Sequence, residues 1–236
     1  MEDKGIRINK FLSEAGVCSR REGDKLVEAG RIKIDDEVAT AGARVFPGQR
    51  VFVDGREVTK EEEDVVLLFH KPRGIVCTAE KREKDNVIDY INYPIRIYPV
   101  GRLDKDSHGL LILTNQGDLT NEILKASNYH EKEYVVTVNK PITGQFMIHM
   151  QNGVYLSELD KTTAPCKVKK LGEKTFSIIL TQGLNRQIRR MCRELDYHVR
   201  DLKRVRIMDF TLDGIVEGKY RKLSADEIRR LKQQLL

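Results

Sequence analysis

Asp54-Gly-Arg-Glu-Val-Thr-Lys-Glu-Glu-Glu-Asp64 runs directly into Val65-Val66-Leu67-Leu68-Phe69, and the contrast between these stretches divides the chain. The first carries too few apolar groups to support a core and reads as a linker. The second is a continuous apolar run, the pattern of a buried strand. These readings place a small domain at 1–56, a linker at 57–64 and a larger domain at 65–236.

On the C-terminal side, patterning predicts further strands at 109–114, 133–139, 164–170, 175–181 and 198–207. Helices are predicted at 117–126, 143–151, 185–195 and 225–235. The last opens with Ser224-Ala-Asp-Glu227, a capping box in which hydroxyl and carboxylate satisfy the first free N–H groups. Strands and helices interleave without regular βαβ spacing, which implies a mixed α+β sheet rather than a doubly wound fold. On the N-terminal side, Ile8, Phe11, Leu12 and Ala15 fall on one helical face, and Gly16 stops that helix. Ser19-Arg20-Arg21-Glu22 is a second capping box, opening a helix that ends at Gly30. Short β segments follow at 31–34, 45 and 51–53, punctuated by Asp35-Asp36, Pro47-Gly48 and Asp54-Gly55 turns.

The formal charge of the 236 residues is +6, which suits an anionic partner without proving one. Its distribution says more. Residues 1–60 hold 12 Lys and Arg against 11 Asp and Glu, whereas residues 186–206 hold 8 against 3. Cys18, Cys77, Cys166 and Cys192 form no Cys-x-x-Cys pair, and the five histidines form no His-x-x-x-His or His-x-Glu motif. No metal site is therefore expected, and scattered thiols fit a reducing compartment. No apolar run approaches the ~20 residues that span a bilayer, and the N-terminus lacks the apolar core of a signal peptide. The expected location is the cytoplasm, with no membrane partner.

Four stretches of the larger domain could carry chemistry. His70-Lys71-Pro72-Arg73-Gly74 is a basic turn at the end of the buried strand. Tyr98 to Gly109 packs Arg102, Asp104, Lys105 and Asp106 between apolar segments, and by itself reads as an exposed turn. Glu131 to Val138 alternates as a half-buried strand, with Tyr134, Val136 and Val138 on one face. In Gln182 to Cys192, Asn185 is placed to cap a helix on which Arg186, Arg189, Arg190 and Arg193 cluster. So dense a cationic face calls for an anion, either a phosphate backbone or an internal acid such as Asp104.

Taken in order, Lys71-Pro72-x-Gly74, Gly101-Arg102-Leu103-Asp104, Lys132-Glu133-Tyr134 and Gly183-Leu184-Asn185-Arg186-Gln187-Ile188-Arg189-Arg190-Met191 resemble the motif set of bacterial rRNA pseudouridine synthases. The branch resembled contains the small-subunit enzyme and its large-subunit relatives, and the match is nearest to the 23S rRNA synthase F subtype. The N-terminal helix pair resembles the RNA-binding domain of ribosomal protein S4. The resemblance spans about residues 5–236. It implies a pseudouridine-synthase-like, largely antiparallel mixed sheet flanked by helices, preceded by a small S4-like α+β domain.

The resemblance also implies roles. Asp104 corresponds to the catalytic aspartate, Tyr134 to the tyrosine packed on the target uracil, and Arg189 to the basic partner of the aspartate. Leu202 and Ile188 correspond to the apolar lining of the uracil pocket. Arg102, Leu103, Lys105, Lys71, Arg186, Gln187 and Arg190 are expected to contact RNA, Arg102 by filling the space left by a flipped nucleotide. In the small domain, Arg7, Lys10, Ser19, Arg20 and Arg21 are expected to form the RNA face.

The chemistry explains these residue types. Pseudouridylation breaks N1–C1′, turns the uracil and rejoins it through C5, with no redox change, so no cofactor is needed. A carboxylate can attack C1′ or C6 or remove the C2′ proton, and the sequence leaves all three routes open. Each needs an ionised acid in a partly dry pocket, which a neighbouring guanidinium favours. The implied substrate is a 23S rRNA stem-loop, with a tRNA as a further candidate, and the protein is expected to be a monomer. The alternative is an RNA-binding or ribosome-assembly factor without catalysis, which the helix pair and basic helix alone would satisfy.

Overall fold

The computed structural model describes residues 5–59, 63–80, 82–125 and 128–235. Residues 60–62 of the expected linker and Ala126 of the expected helix 117–126 lie outside these. The chain forms two compact units. One runs to Val65 and includes Tyr93–Ile97 and Asn115–Gly117; the other comprises Val66–Asn92, Tyr98–Thr114 and Asp118–Leu236.

The first unit opens with β1 (Ile6–Arg7), α1 (Ile8–Glu14) and α2 (Arg20–Glu28). Ile8 and Leu12, four residues apart, are the buried residues of α1, as their spacing requires. The Ser19 hydroxyl accepts from the Glu22 N–H at 3.2 Å, and the Glu22 carboxylate accepts from the Ser19 N–H at 2.8 Å. The expected capping box is thus present. A Cβ on Gly23 would lie 3.2 Å from the Asn9 Cα, so the glycine lets the helices approach. Then come β2 (Ile32–Ile34), β3 (Glu37–Val38), β4 (Arg44–Val45), β5 (Val51–Val53) and β6 (Arg56–Val58). β1 pairs with β4, and the others form a sheet ordered β3-β2-β5-β6. Ile8, Leu12, Val27, Ile32, Val45 and Val51 form the core.

The second unit contains β7 (Val66–Lys71), α3 (Val87–Ile91), β8 (Tyr98–Val100), β9 (His108–Thr114), α4 (Gly117–Leu124, its first residue in the other unit) and β10 (Lys132–Val138). It continues with α5 (Gly144–Asn152), β11 (Tyr155–Leu156), β12 (Lys161–Thr162), β13 (Lys167–Lys170) and β14 (Thr175–Leu180). It closes with α6 (Gln187–Glu194), β15 (Val199–Ile207), β16 (Phe210–Thr211), β17 (Tyr220–Lys222) and α7 (Ala225–Gln234). Among the described residues the main sheet runs β13-β14-β10-β15-β9-β7-β17, with β8 beside β9 and β16 beside β15. Every pairing in it is antiparallel except β15 with β9, as expected of a largely antiparallel mixed sheet. Every residue of β7 is buried, consistent with its apolar sequence. One core gathers β10, β14 and β15 with α5 and α6; another gathers β7 and β9 with α4 and α7.

The strand expected at 164–170 begins only at Lys167, and the helix expected at 185–195 only at Gln187. The strands β1, β3, β6, β8, β11, β12, β16 and β17 and the five-residue α3 are additions; β6 pairs with β5, so Glu57 and Val58 of the expected linker belong to the sheet of the first unit. Elements of two to five residues are too short for periodicity to declare itself.

Candidate active site

Asp104 lies in the segment joining β8 to β9, and the sequence shapes that turn from both sides. Gly101 adopts φ +75°, a conformation open to glycine at little cost. The Leu103 N–H donates to Cys77 Sγ at 3.3 Å, and the Asp104 carbonyl accepts from the Ser107 N–H at 3.0 Å. The turn after β7 braces it: the Gly74 N–H donates to the Lys105 carbonyl at 2.8 Å. The Lys71 ammonium donates to the carbonyls of Ser107 at 2.8 Å and Pro72 at 2.9 Å. Lys71 was expected to meet RNA, but it is wholly buried. Its charge is spent on carbonyls, and burial pushes its pKa below the ordinary lysine value. The first motif therefore supports the Asp104 turn. Next along the chain, a Cβ on Gly109 would lie 2.2 Å from the Arg204 carbonyl oxygen. Only glycine lets β9 meet β15 there.

The basic helix differs from its expected form. Arg186, not Asn185, precedes the first helical residue, in the left-handed conformation at φ 49°, and no side chain caps the helix. The arginines consequently divide. Arg186 Nη1 and Arg189 Nε lie 3.5 and 3.6 Å from the same Asp104 oxygen, Oδ2. Arg189 Nη2 also donates to Ser107 Oγ at 3.1 Å and to the Asp106 carbonyl at 3.4 Å. Burial, then repulsion from Arg186, lowers the pKa of Arg189, while Asp104 acts in the opposite sense; a guanidinium stays charged nonetheless. Arg190 and Arg193 turn elsewhere, both pairing with Glu158. Arg190 also donates to the Asn185 carbonyl at 2.9 Å and to Asn185 Oδ1 at 3.0 Å. Arg190 is thus committed within the protein, and Asn185 is its acceptor rather than a helix cap. Gln187 is buried and accepts the Leu184 N–H at 3.0 Å, bracing the turn into α6.

Strand register brings in the rest. On β10 and β15, Tyr134 lies opposite Arg204 and Val136 opposite Leu202, so Tyr134 and Leu202 are diagonal neighbours of a cross-strand pair. A cleft of about 100 Å³ is lined by Arg102, Leu103, Asp104, Tyr134, Arg186, Gln187, Ile188, Arg189 and Leu202, all expected at the site. Ser107, Gln182 and Leu184, which sequence reasoning did not single out, line it too. The Gln182 amide nitrogen is buried with no hydrogen-bond partner among the described residues. An adjoining groove of about 670 Å³ adds Lys105, which also faces Asp85 at 3.7 Å. In the first unit Arg7, Arg20 and Arg21 are exposed. Lys10 pairs with Glu14 at 3.6 Å, and the Ser19 hydroxyl is occupied in its capping box.

Residues 65–194 match the family model described as RNA pseudouridylate synthase. The chain belongs to this family. As a member of it, the protein is an RNA pseudouridine synthase, an enzyme that isomerises uridine within RNA; the reading as a binder without catalysis gives way. Residues 6–51 match the S4 domain. The chain is 50% identical to the dual-specificity RNA pseudouridine synthase RluF of Escherichia coli strain K12, over 97% of this chain and 79% of that one. It is 35% identical to the ribosomal large subunit pseudouridine synthase B of Bacillus subtilis strain 168, over 96% and 95% of the two chains. A solved structure described as a pseudouridylate synthase matches with TM-score 0.70 and 27% identity, over 96% of this chain and all of that one. Among the described residues no helix is long and apolar enough to cross a membrane.

For a pseudouridine synthase the cleft's composition has a clear chemical meaning. It combines one carboxylate under two guanidinium groups, one aromatic ring and an apolar wall. Sequence reasoning assigned one arginine to Asp104; Arg186 was assigned to RNA instead. The signal for two was present in the +82 and +85 spacings to Arg186 and Arg189 only once the turn at Arg186 was known.

Proposed function

We propose that Asp104 is the catalytic carboxylate and that it acts on a uridine flipped out of a 23S rRNA stem-loop. The observation that carries this reading is the arrangement of Asp104 beneath Arg186 and Arg189 in a cleft that also holds Tyr134 and Leu202. The two guanidinium groups set positive charge against the carboxylate that does the chemistry. The carboxylate then attacks C1′ or C6 or removes the C2′ proton. As N1–C1′ breaks, the Tyr134 ring and the Leu202–Ile188 wall hold the uracil without fixing its orientation. C5 joins C1′, the C5 proton leaves, and N1 gains a proton, so the reaction is a balanced isomerisation. The Gln182 amide offers a donor to a uracil carbonyl. Flipping the base costs a few kcal/mol. Arg102 offsets this by filling the gap, and Lys105, Arg7, Arg20 and Arg21 by binding phosphates.

The substrate assignment is supported by the relatives' names, one a large-subunit synthase and one dual-specificity. The second kind of substrate would be a tRNA. In this reading the first unit, whose sheet extends to Val58, binds RNA and the second catalyses, in a cytoplasmic monomer. Pseudouridine mapping of rRNA and tRNA from cells with and without the gene tests the assignment. The expected result is loss of a 23S rRNA site, with or without a tRNA site. Loss confined to small-subunit RNA would refute the substrate.

A further inference from the structure

Away from the cleft, two histidines 38 residues apart in sequence meet on the main sheet. His70 of β7 lies opposite Leu110 of β9, so His108, two residues before Leu110, is its diagonal neighbour on the same face. The rings stack with centroids 6.3 Å apart. On the other side His108 lies opposite Lys203 of β15, which makes Asp201 a diagonal neighbour in turn. Glu217 approaches from the loop before β17, and that loop is tied to β7 by the Gly218 N–H donating to the His70 carbonyl at 2.8 Å.

The hydrogen bonds fix what each ring presents. His70 Nδ1 lies 2.9 Å from the Ile215 carbonyl oxygen. A carbonyl only accepts, so Nδ1 carries the proton and Nε2 presents a lone pair. His108 Nε2 lies 2.9 Å from the Asp201 carboxylate, which Arg73 also engages. The neutral His108 ring therefore presents its lone pair at Nδ1. Both His70 Nε2 and His108 Nδ1 are buried with no hydrogen-bond partner among the described residues. Leaving such a group unsatisfied costs about 1–3 kcal/mol. One ring nitrogen of each histidine and a Glu217 carboxylate oxygen lie within 4.8 Å of one another, and on His108 the nitrogen facing Glu217 is Nδ1.

We propose that His70 Nε2, His108 Nδ1 and Glu217 bind one divalent transition-metal ion, for which zinc is the probe. Imidazole nitrogen with carboxylate oxygen suits zinc and its first-row neighbours. Metal-bound histidines characteristically donate their other N–H to a backbone carbonyl or carboxylate, as these two do to Ile215 and Asp201. Ligands at about 2.0–2.1 Å on a tetrahedral ion lie roughly 3.3 Å apart. The His108 Nδ1–Glu217 separation is 3.7 Å, and Glu217, half-exposed, closes on the ion. The site clips together β7, β9 and the loop before β17, and through His108 it anchors the residue adjoining Ser107, which holds Arg189. Its competitor is His108 bridging Asp201 and Glu217 directly, with no metal.

The test uses the full-length chain, stripped with chelator and titrated with Zn²⁺ against a chromophoric competitor, then with Co²⁺. The wild type is expected to bind one equivalent. Its Co²⁺ spectrum should show d–d bands without thiolate charge transfer. Glu217→Gln, at an exposed side chain that folding does not need, is expected to weaken binding at least tenfold, and His70→Gln likewise. Melting curves without metal verify that both variants fold. No binding by the wild type beyond that of a variant carrying both His70→Gln and Glu217→Gln, thiolate bands, or affinity unchanged in Glu217→Gln alone would overturn the proposal.

Discussion

Arg189→Met is the substitution that most sharply tests how the cleft works. It removes a guanidinium lying 3.6 Å from Asp104 Oδ2. It also removes the donors to Ser107 Oγ at 3.1 Å and to the Asp106 carbonyl at 3.4 Å. Hydrogen bonds from a charged donor contribute about 1.5–3 kcal/mol each. Taking about 3 kcal/mol for the ensemble, at about 1.4 kcal/mol per tenfold, the single-turnover rate should fall roughly 100-fold. Arg186 stays 3.5 Å from the same oxygen, which keeps the loss from being complete. Arg186 is more exposed, and an exposed pair contributes about 1 kcal/mol or less, so Arg186→Met alone should slow the step by at most roughly fivefold. Because both cations serve one carboxylate, the double variant should lose more than the product of the two single effects. The assay is single-turnover pseudouridine formation on a 23S rRNA fragment, with RNA affinity and melting temperature measured in parallel. An Arg189→Met rate within about threefold of wild type, with Asp104 still essential, would refute this electrostatic account.

Gly109→Ala would place a Cβ 2.2 Å from the Arg204 carbonyl oxygen at φ +110°. Overpacking with an unfavourable φ costs about 3 kcal/mol, a fall of roughly 6–12 °C in melting temperature for a chain of this size; an unchanged melting curve would contradict the tight β9–β15 approach. The double variant Arg20→Ala, Arg21→Ala should reduce the slope of log affinity against log salt by up to about 1.5, and an unaltered slope would remove both from the RNA face. Burial pushes the Cys192 thiol up to about 12 and that of Cys166 to about 11. Both therefore stay protonated at pH 8, and native-state alkylation followed by mass spectrometry should leave them unmodified until the chain unfolds.

Much of the architecture was legible because it rests on patterns longer than a turn. The Val65–Phe69 run, the alternation through Tyr134–Val138 and the two capping boxes each correspond to the element observed. What the sequence hid depends on contacts between distant segments. Lys71 looked like a surface cation beside Arg73, yet the turn that follows buries it against Ser107. The arginine row looked like one helical face, but a left-handed Arg186 takes the first member off the helix. Glu158, 32 residues before Arg190, takes two more. His70 and His108 showed no motif, since strand pairing rather than sequence spacing brings them together.

The central claim is that one carboxylate, Asp104, performs the chemistry in a site otherwise built to bind and hold the base. Asp104→Asn keeps nearly the same shape while removing the charge. The direct measurement is single-turnover pseudouridine formation by this variant, alongside its affinity for the same RNA. The account predicts no detectable product with RNA affinity within a few-fold of wild type. Product formation at a substantial fraction of the wild-type rate would contradict it.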